Sequence, residues 1–449
     1  MQNIEFLGAV GGEVTGSSYL LTSDASNQIL VDFGMFQGLE ETVKKNYLPL
    51  SFSPSALQAV FLTHGHLDHC GRLPLLVYGG FKGRIFMTAP TRKFVEILLQ
   101  DAARVAEKDL TKQPLYSLEE VNKLLQMITV VEYNKPLRIG DFEAIFKDAG
   151  HILGSASIEL IDISSDRNQK IVFSGDLGNT PQTIVKPTEY IDSADFVVME
   201  STYGNSSHPD EDPSKVIQEE INAIEQTGGV LLIPAFAIER TQEVLHIIHH
   251  LKKDGKVSPH TPVYLDSPLG IDATLVYMNY LKYANLEINS HEDIPFNFEG
   301  LVITDDSRDS KDIINGISPK VIIAGSGMMA GGRIVHHVAN YIADRKTRIL
   351  FVGYQGEETM GRSILDGAKS VFIDDKRIPV HAHIRYLATL SSHADQPLLL
   401  KWLNHIKGIR KVFLTHGEDL ERKALAEKIK SDFGIKDVYL PDFGESFKL

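Results

Sequence analysis

The stretch FLTHGHLDHCGRL, residues 61–73, places three histidines and an aspartate within six positions, directly after an apolar run. Four such side chains at the end of a strand must each be hydrated, paired or ligated, because leaving them buried and unpartnered is costly. A metal centre satisfies all of them at once, and that constrains the fold: loops from distant parts of the chain must converge on this strand end. Residues i and i+2 of an extended segment project to one side, so His64 and His66 can grip one ion. Asp68 and His69 fall where LDHCGRLPLLV turns helical, within reach of a second ion. The single cysteine, Cys70, rules out a thiolate cage and is read as a small packing thiol. The remaining donors, imidazole and carboxylate, suit zinc, with manganese or iron possible.

Further donors follow other strand-like runs. DAGHILGSAS presents His151, VFSGDLGN presents Asp176, and VFLTHGED repeats the VFLTHG of the first site and presents His416. Two four-ligand sets result: His64, His66, His151 and Asp176 for one ion, and Asp68, His69, Asp176 and His416 for the other. Asp176 is placed to bridge them.

At 449 residues the chain is too long for one ordinary core. Its first 200 residues read as short strands separated by turns, with helical patterns near 70–78, 91–110 and 117–127. After the polar stretch YGNSSHPDEDP, strands and helices alternate, which predicts a parallel α/β domain. From about residue 365 the short-strand pattern returns, in SVFIDD, HAHIRYL and KVFLTHGE. The expected organisation is therefore a first domain in two parts, 1–205 and 363–449, with a domain inserted at 206–362. The histidines at 249–250 and 336–337 read as solvated helix faces. No run has the length of a membrane span and the start lacks a leader pattern, so a cytoplasmic protein with no membrane partner is expected. The formal charge is −14, which argues against a general nucleic-acid coat. Two bound dications would concentrate positive charge in the site itself.

HxHxDH followed by a later His, Asp and His resembles the metallo-β-lactamase superfamily. MESTYGN, LSSHADQ and LTHGE resemble the extra motifs of its β-CASP group of nucleic-acid nucleases, and PAFAIERTQEVL, VYLDSPLGIDAT, GSGMMAGGRIVHH and FVGYQGEETMGRSILDGAK resemble that group's inserted domain. The likeness is strongest to bacterial and archaeal ribonucleases akin to the nuclease subunit of the eukaryotic pre-mRNA 3′-end cleavage machinery. It implies an αββα sandwich carrying a parallel α/β insertion, two Zn2+ ions (or Mn2+), and hydrolysis of single-stranded RNA. It also implies that Asp32 supports a ligand histidine, that Glu200 pairs with His393, and that His416 completes the second ion's shell. Glu239 and Ser392 depart from the pattern, which has Gly and Ala there.

Such a pair of ions would activate water as a bridging hydroxide and neutralise the phosphodiester, with Asp68 and Asp176 in the catalytic set. His393, its pKa raised by Glu200, would protonate the leaving 3′ oxygen. The expected site spans the junction of the two domains. GSGMMA matches a dinucleotide fingerprint, but the next strand ends in Tyr354 and Gln355 rather than an acid, so no nucleotide cofactor is expected. The same geometry offers N–H groups to an RNA phosphate through Ser326, Gly327 and Met328, with Arg240, Arg333 and Arg362 as further phosphate partners. A hydrolase of a small ester, lactone or thioester, or a silent RNA-binding subunit, are the alternatives. A monomer and a homodimer are equally compatible with the sequence.

Overall fold

The computed structural model describes residues 1–109, 113–180, 182–285, 296–356 and 358–449. They divide into two compact units. The first comprises Met1–Pro181, Val185–Ser207 and His393–Leu449, and the second Gln182–Ile184 and His208–Ser392.

The first unit opens with six strands: β1 (Asn3–Phe6), β2 (Ser18–Thr22), β3 (Gln28–Phe33), β4 (Leu57–Phe61), β5 (Arg84–Thr88) and β6 (Ile128–Val131). Five more follow: β7 (Leu137–Ile139), β8 (Phe142–Asp148), β9 (Ala156–Asp162), β10 (Lys170–Phe173) and β11 (Phe196–Glu200). The second unit holds β12 (Val230–Pro234), β13 (Val263–Asp266), β14 (Leu301–Ile303), β15 (Lys320–Ala324), β16 (Arg348–Phe351), β17 (Ser370–Ile373), β18 (Lys376–Pro379) and β19 (His383–Tyr386). The chain then returns to the first unit for β20 (Lys411–Thr415), β21 (Val438–Tyr439) and β22 (Ser446–Lys448). Two seven-stranded sheets result, ordered β22-β1-β2-β3-β4-β5-β6 and β21-β20-β11-β10-β9-β8-β7.

Period-two alternation accounts for the four layers. On β4, Ala59 and Phe61 face a core shared with Phe146, Phe173 and Phe413 of the other sheet, while Val60 joins Leu73, Leu76, Val95 and Leu99 of the covering helices. On β11, Phe196 and Val198 face the inter-sheet core, and Val197 and Met199 pack with Trp402, Leu403 and Leu425 on the far side. Strands buried on both faces carry unbroken apolar runs, as VFL and FVVM do. The result is the αββα sandwich.

Parallel pairing of β3 with β4, and of β10 with β11 and β11 with β20, brings the carboxyl ends of these strands to common edges. The segments after them carry the polar residues of interest. One contact fixes their approach: a Cβ on Gly34 would stand 1.6 Å from the Asp68 carbonyl oxygen, so only glycine lets β3 meet the HGHLDH turn this closely. The buried Arg72 closes the same corner, its guanidinium 4.4 Å and 4.5 Å from the Phe33 and Phe36 ring centres and bonded to the Gly34 carbonyl.

The second unit is a parallel sheet ordered β14-β13-β15-β12-β16-β19, with β17 and β18 as a separate hairpin. Its extent differs from the expected 206–362. Residues 363–392 belong here, because β19 extends the sheet by parallel pairing with β16, Arg348 opposite His383 and Phe351 opposite Tyr386. Val371 and Ile373 of the hairpin also join this unit's core. His249 and His337, expected on solvated faces, are buried. The strand β7 and the helices Ser307–Asn315 and Met360–Leu365 were not anticipated. Among the described residues no helix is long and apolar enough to cross a membrane.

Candidate metal centre

The first unit gathers all the expected ligands. His64 and His66 leave β4, His151 sits in the loop between β8 and β9, and Asp176 follows β10; their ligand atoms lie within 4.8 Å of one another. The helical turn Leu67–Cys70 carries Asp68 and His69, which meet His416, just past β20, in a second such group. Asp176 joins the two: its Oδ2 is 3.5 Å from His64 Nε2 and 3.6 Å from His151 Nε2, while its Oδ1 is 3.2 Å from His69 Nε2 and 3.6 Å from His416 Nε2. Asp32 and His416 themselves hold positive φ angles of 56° and 50°, a conformation L residues rarely keep without support from their surroundings.

The opposite ring nitrogens are already spoken for. His69 Nδ1 lies 2.8 Å from Asp32 Oδ2, so Asp32 accepts its proton and turns Nε2 toward the site. Asp32 also accepts the Thr63 N–H and hydroxyl, each at 2.8 Å. His393 Nδ1 stands 3.3 Å from Glu200 Oε2 and 3.9 Å from Asp176 Oδ2. Glu200 is anchored in turn by the Leu177 N–H at 2.6 Å and the Thr202 hydroxyl at 2.6 Å. Ligands His64, His69, His151, Asp176 and His416 are buried, while Asp68 and His393 keep 18% and 20% of their side-chain surface, which defines the open side.

The electrostatics suit a bound cation. Burial drives His64 well below the usual imidazole range and His66 down to about 4, so both present neutral nitrogen lone pairs. Burial opposes charge on His69 too, but Asp176 and Asp32 outweigh it and hold the ring well above its ordinary value. Burial alone would raise Asp176; His416 and His69 reverse that and keep it ionised. Asp176 Oδ1 is nonetheless buried without a hydrogen-bond partner. An ionised oxygen so placed, ringed by imidazole nitrogens, is completed by a cation between them.

Comparison with known proteins follows the same lines. Residues 11–85 match the metallo-beta-lactamase superfamily, 241–364 the Beta-Casp domain, and 377–441 a Zn-dependent metallo-hydrolase RNA specificity domain. A ribonuclease of Thermus thermophilus is 36% identical over 439 residues, covering 96% of this chain and 97% of that protein. The chain belongs to the β-CASP ribonuclease family. An RNase J-like protein of Methanocaldococcus jannaschii is 31% identical, covering 93% and 94% of the two chains, and the transcription termination factor FttA of Methanosarcina mazei is 31% identical, covering 95% and 69%. A crystal structure of a protein of unknown function from Enterococcus faecalis shares the fold over the whole chain, at a TM-score of 0.57 and 13% identity. As a β-CASP ribonuclease the protein is a metal-binding hydrolytic nuclease, and its His/Asp clusters are the candidate sites for the ion.

The phosphate partners expected on the second unit of this β-CASP ribonuclease fare differently. Arg333 is committed to structure: its guanidinium bonds Asp266 Oδ1 at 2.7 Å, the Thr304 carbonyl at 2.8 Å and the Asp305 carbonyl. Arg240 is buried and pairs with Glu239 at 3.0 Å, and Glu239 itself takes a φ of 71°, where the family's glycine would be at ease. In the expected cradle the helix after β15 starts only at Arg333, and the Ser326 N–H is spent on the Gly331 carbonyl at 3.3 Å. Arg362 is half-exposed and bridges to Asp366 one turn on, while Gly327 lies where a Cβ would collide with the Phe236 ring. Sequence reasoning missed Thr63 and Thr202. Each precedes or follows a recognised acid or histidine by one or two positions, the only signal available.

Proposed function

We propose that this β-CASP ribonuclease is a two-zinc enzyme that hydrolyses phosphodiester bonds of single-stranded RNA, cutting internally and also able to act from one end. The observation that carries the reading is one carboxylate, Asp176, whose two oxygens each stand within 3.6 Å of imidazoles from a different donor set, with His393 on the open side 3.9 Å from it and backed by Glu200. Zinc bound there supplies Lewis acidity toward the phosphoryl oxygens and a water acidic enough to attack at neutral pH. His64, His66 and His151 hold the first ion, and Asp68, His69 and His416 the second, with Asp176 between them. Asp32 keeps His69 in the tautomer that leaves Nε2 free. Glu200 raises His393 to about 9 against the opposing effect of burial, so the ring arrives protonated and can donate to the leaving 3′ oxygen. A single strand suits ligand atoms set below the surface, because a flexible backbone can dip one linkage into the site. Gly327, Met328 and Arg362 meet the RNA backbone phosphates, the chain acts as a monomer or homodimer, and the single cysteine fits a reducing cytoplasm.

Labelled single-stranded RNA incubated with the purified chain tests this. Cleavage that needs added zinc, stops with chelator and is absent in Asp176→Ala is the expected result. Equal cleavage by Asp176→Ala would point to a contaminant and remove the support. Single-stranded DNA and duplex RNA run in parallel test the substrate class.

A further inference from the structure

Two buried carboxylates of the first unit arrange their partners alike. Asp32 Oδ2 receives the Thr63 hydroxyl and His69 Nδ1, both at 2.8 Å, and the same hydroxyl oxygen lies 3.1 Å from His64 Nδ1. Glu200 Oε2 receives the Thr202 hydroxyl at 2.6 Å and His393 Nδ1 at 3.3 Å, and that hydroxyl oxygen lies 3.0 Å from His416 Nδ1. A hydroxyl has one proton to give. At Thr202 the Glu200 oxygen at 2.6 Å is much closer than the His416 carbonyl at 3.2 Å, so the proton goes to Glu200. The oxygen's lone pair then accepts from His416 Nδ1–H, which turns His416 Nε2 toward Asp68, at 3.3 Å, and Asp176, at 3.6 Å.

The sequence repeat makes the assignment sharper. In LTHG at 62–65, Thr63 serves the histidine that follows it; in LTHG at 414–417, the Thr415 hydroxyl instead lies 3.0 Å from the Tyr19 hydroxyl. The task is taken over by Thr202, from the end of a different strand. We propose that Thr202 is a positioning residue that orients the His416 ring and Glu200 together, so that retention of the second ion and proton delivery by His393 depend on one hydroxyl. This rests on the two-zinc reading above.

Thr202→Val removes the hydroxyl at nearly constant volume, and Thr202→Ser restores it. Each variant and the wild type would be loaded with zinc, dialysed against graded chelator, assayed for zinc per chain, and then measured for kcat and KM on single-stranded RNA with zinc in excess. Expected for Thr202→Val is loss of one of two ions at about tenfold lower chelator and a kcat about tenfold lower at unchanged KM, both recovered in Thr202→Ser. Wild-type retention and kcat in Thr202→Val, a shift in one quantity alone, or failure of Thr202→Ser to recover overturns the link while leaving the two-zinc reading intact. A wild type that holds no zinc and cuts no RNA overturns that reading and this one with it.

Discussion

His393 carries the sharpest expectation for a single side chain. Its raised value, about 9, comes from Glu200, Asp176 and Asp68 prevailing over burial, and cations on the two aspartates weaken their pull. The acid form is therefore lost as pH rises, and kcat should decline along an alkaline limb lying no higher than about 9. His393→Ala should keep two zinc per chain, lower kcat by about 10²–10⁴-fold and abolish that limb. Loss of zinc in the variant would reassign His393 as a ligand. Asp32 is the complementary case: Asp32→Ala should weaken zinc retention by about 10–100-fold, because His69 loses the partner that orients it. Unaltered zinc binding in Asp32→Ala would leave the Asp32–His69 contact without a part in holding metal.

Two contacts between elements lend themselves to measurement. Gly34→Ala drives a Cβ into the Asp68 carbonyl, 1.6 Å away, and either β3 or the HGHLDH turn must retreat. A loss of about 3 kcal/mol in urea unfolding, with weakened zinc binding, is expected; a variant as stable as wild type would show that this corner yields freely. At the end of β13, burial would raise Asp266, but hydrogen bonds from His337, Ser310, Arg333 and Thr304 bring it down to about 2. A carboxylate lowered in the folded state adds stability above its ordinary value of 3.8, and that stability is lost as pH falls through about 2. Asp266→Asn should thus cost about 2 kcal/mol at pH 7 and progressively less toward pH 2. A pH-independent difference would count against the charge. The same cluster shows where sequence reading stops. Apolar runs located most strands of the sandwich, because central ones such as β4 and β11 are buried on both faces, whereas the short edge strands β7, β21 and β22 leave too little pattern to read. His337 and Arg333 looked like solvent-facing or RNA-facing groups because their common partner, Asp266, lies 71 and 67 positions away and local pattern holds no trace of it.

At the level of the whole chain, the ligand cluster was readable because several histidines recur at strand ends, a density with few other physical explanations. The far boundary of the insertion was not, since HAHIRYL reads as a short strand whichever sheet accepts it, and only its pairing with β16 decides. Each unit has its own core, and every candidate metal ligand among the described residues belongs to the first. Calorimetry should therefore resolve two transitions. Zinc at a hundredfold excess over its dissociation constant should raise one of them by about 3 kcal/mol per ion and leave the other in place, with chelator reversing the shift. Movement of both together would mean that the units unfold as one.

The first unit is also interrupted: a complete second unit is synthesised before His393 and His416 exist. Folding on the ribosome can assemble the earlier histidines and aspartates, yet the centre stays short of its last imidazole until nearly the full polypeptide has emerged. A polypeptide that stops short of residue 416 therefore lacks one imidazole of the candidate centre, however well its earlier part folds.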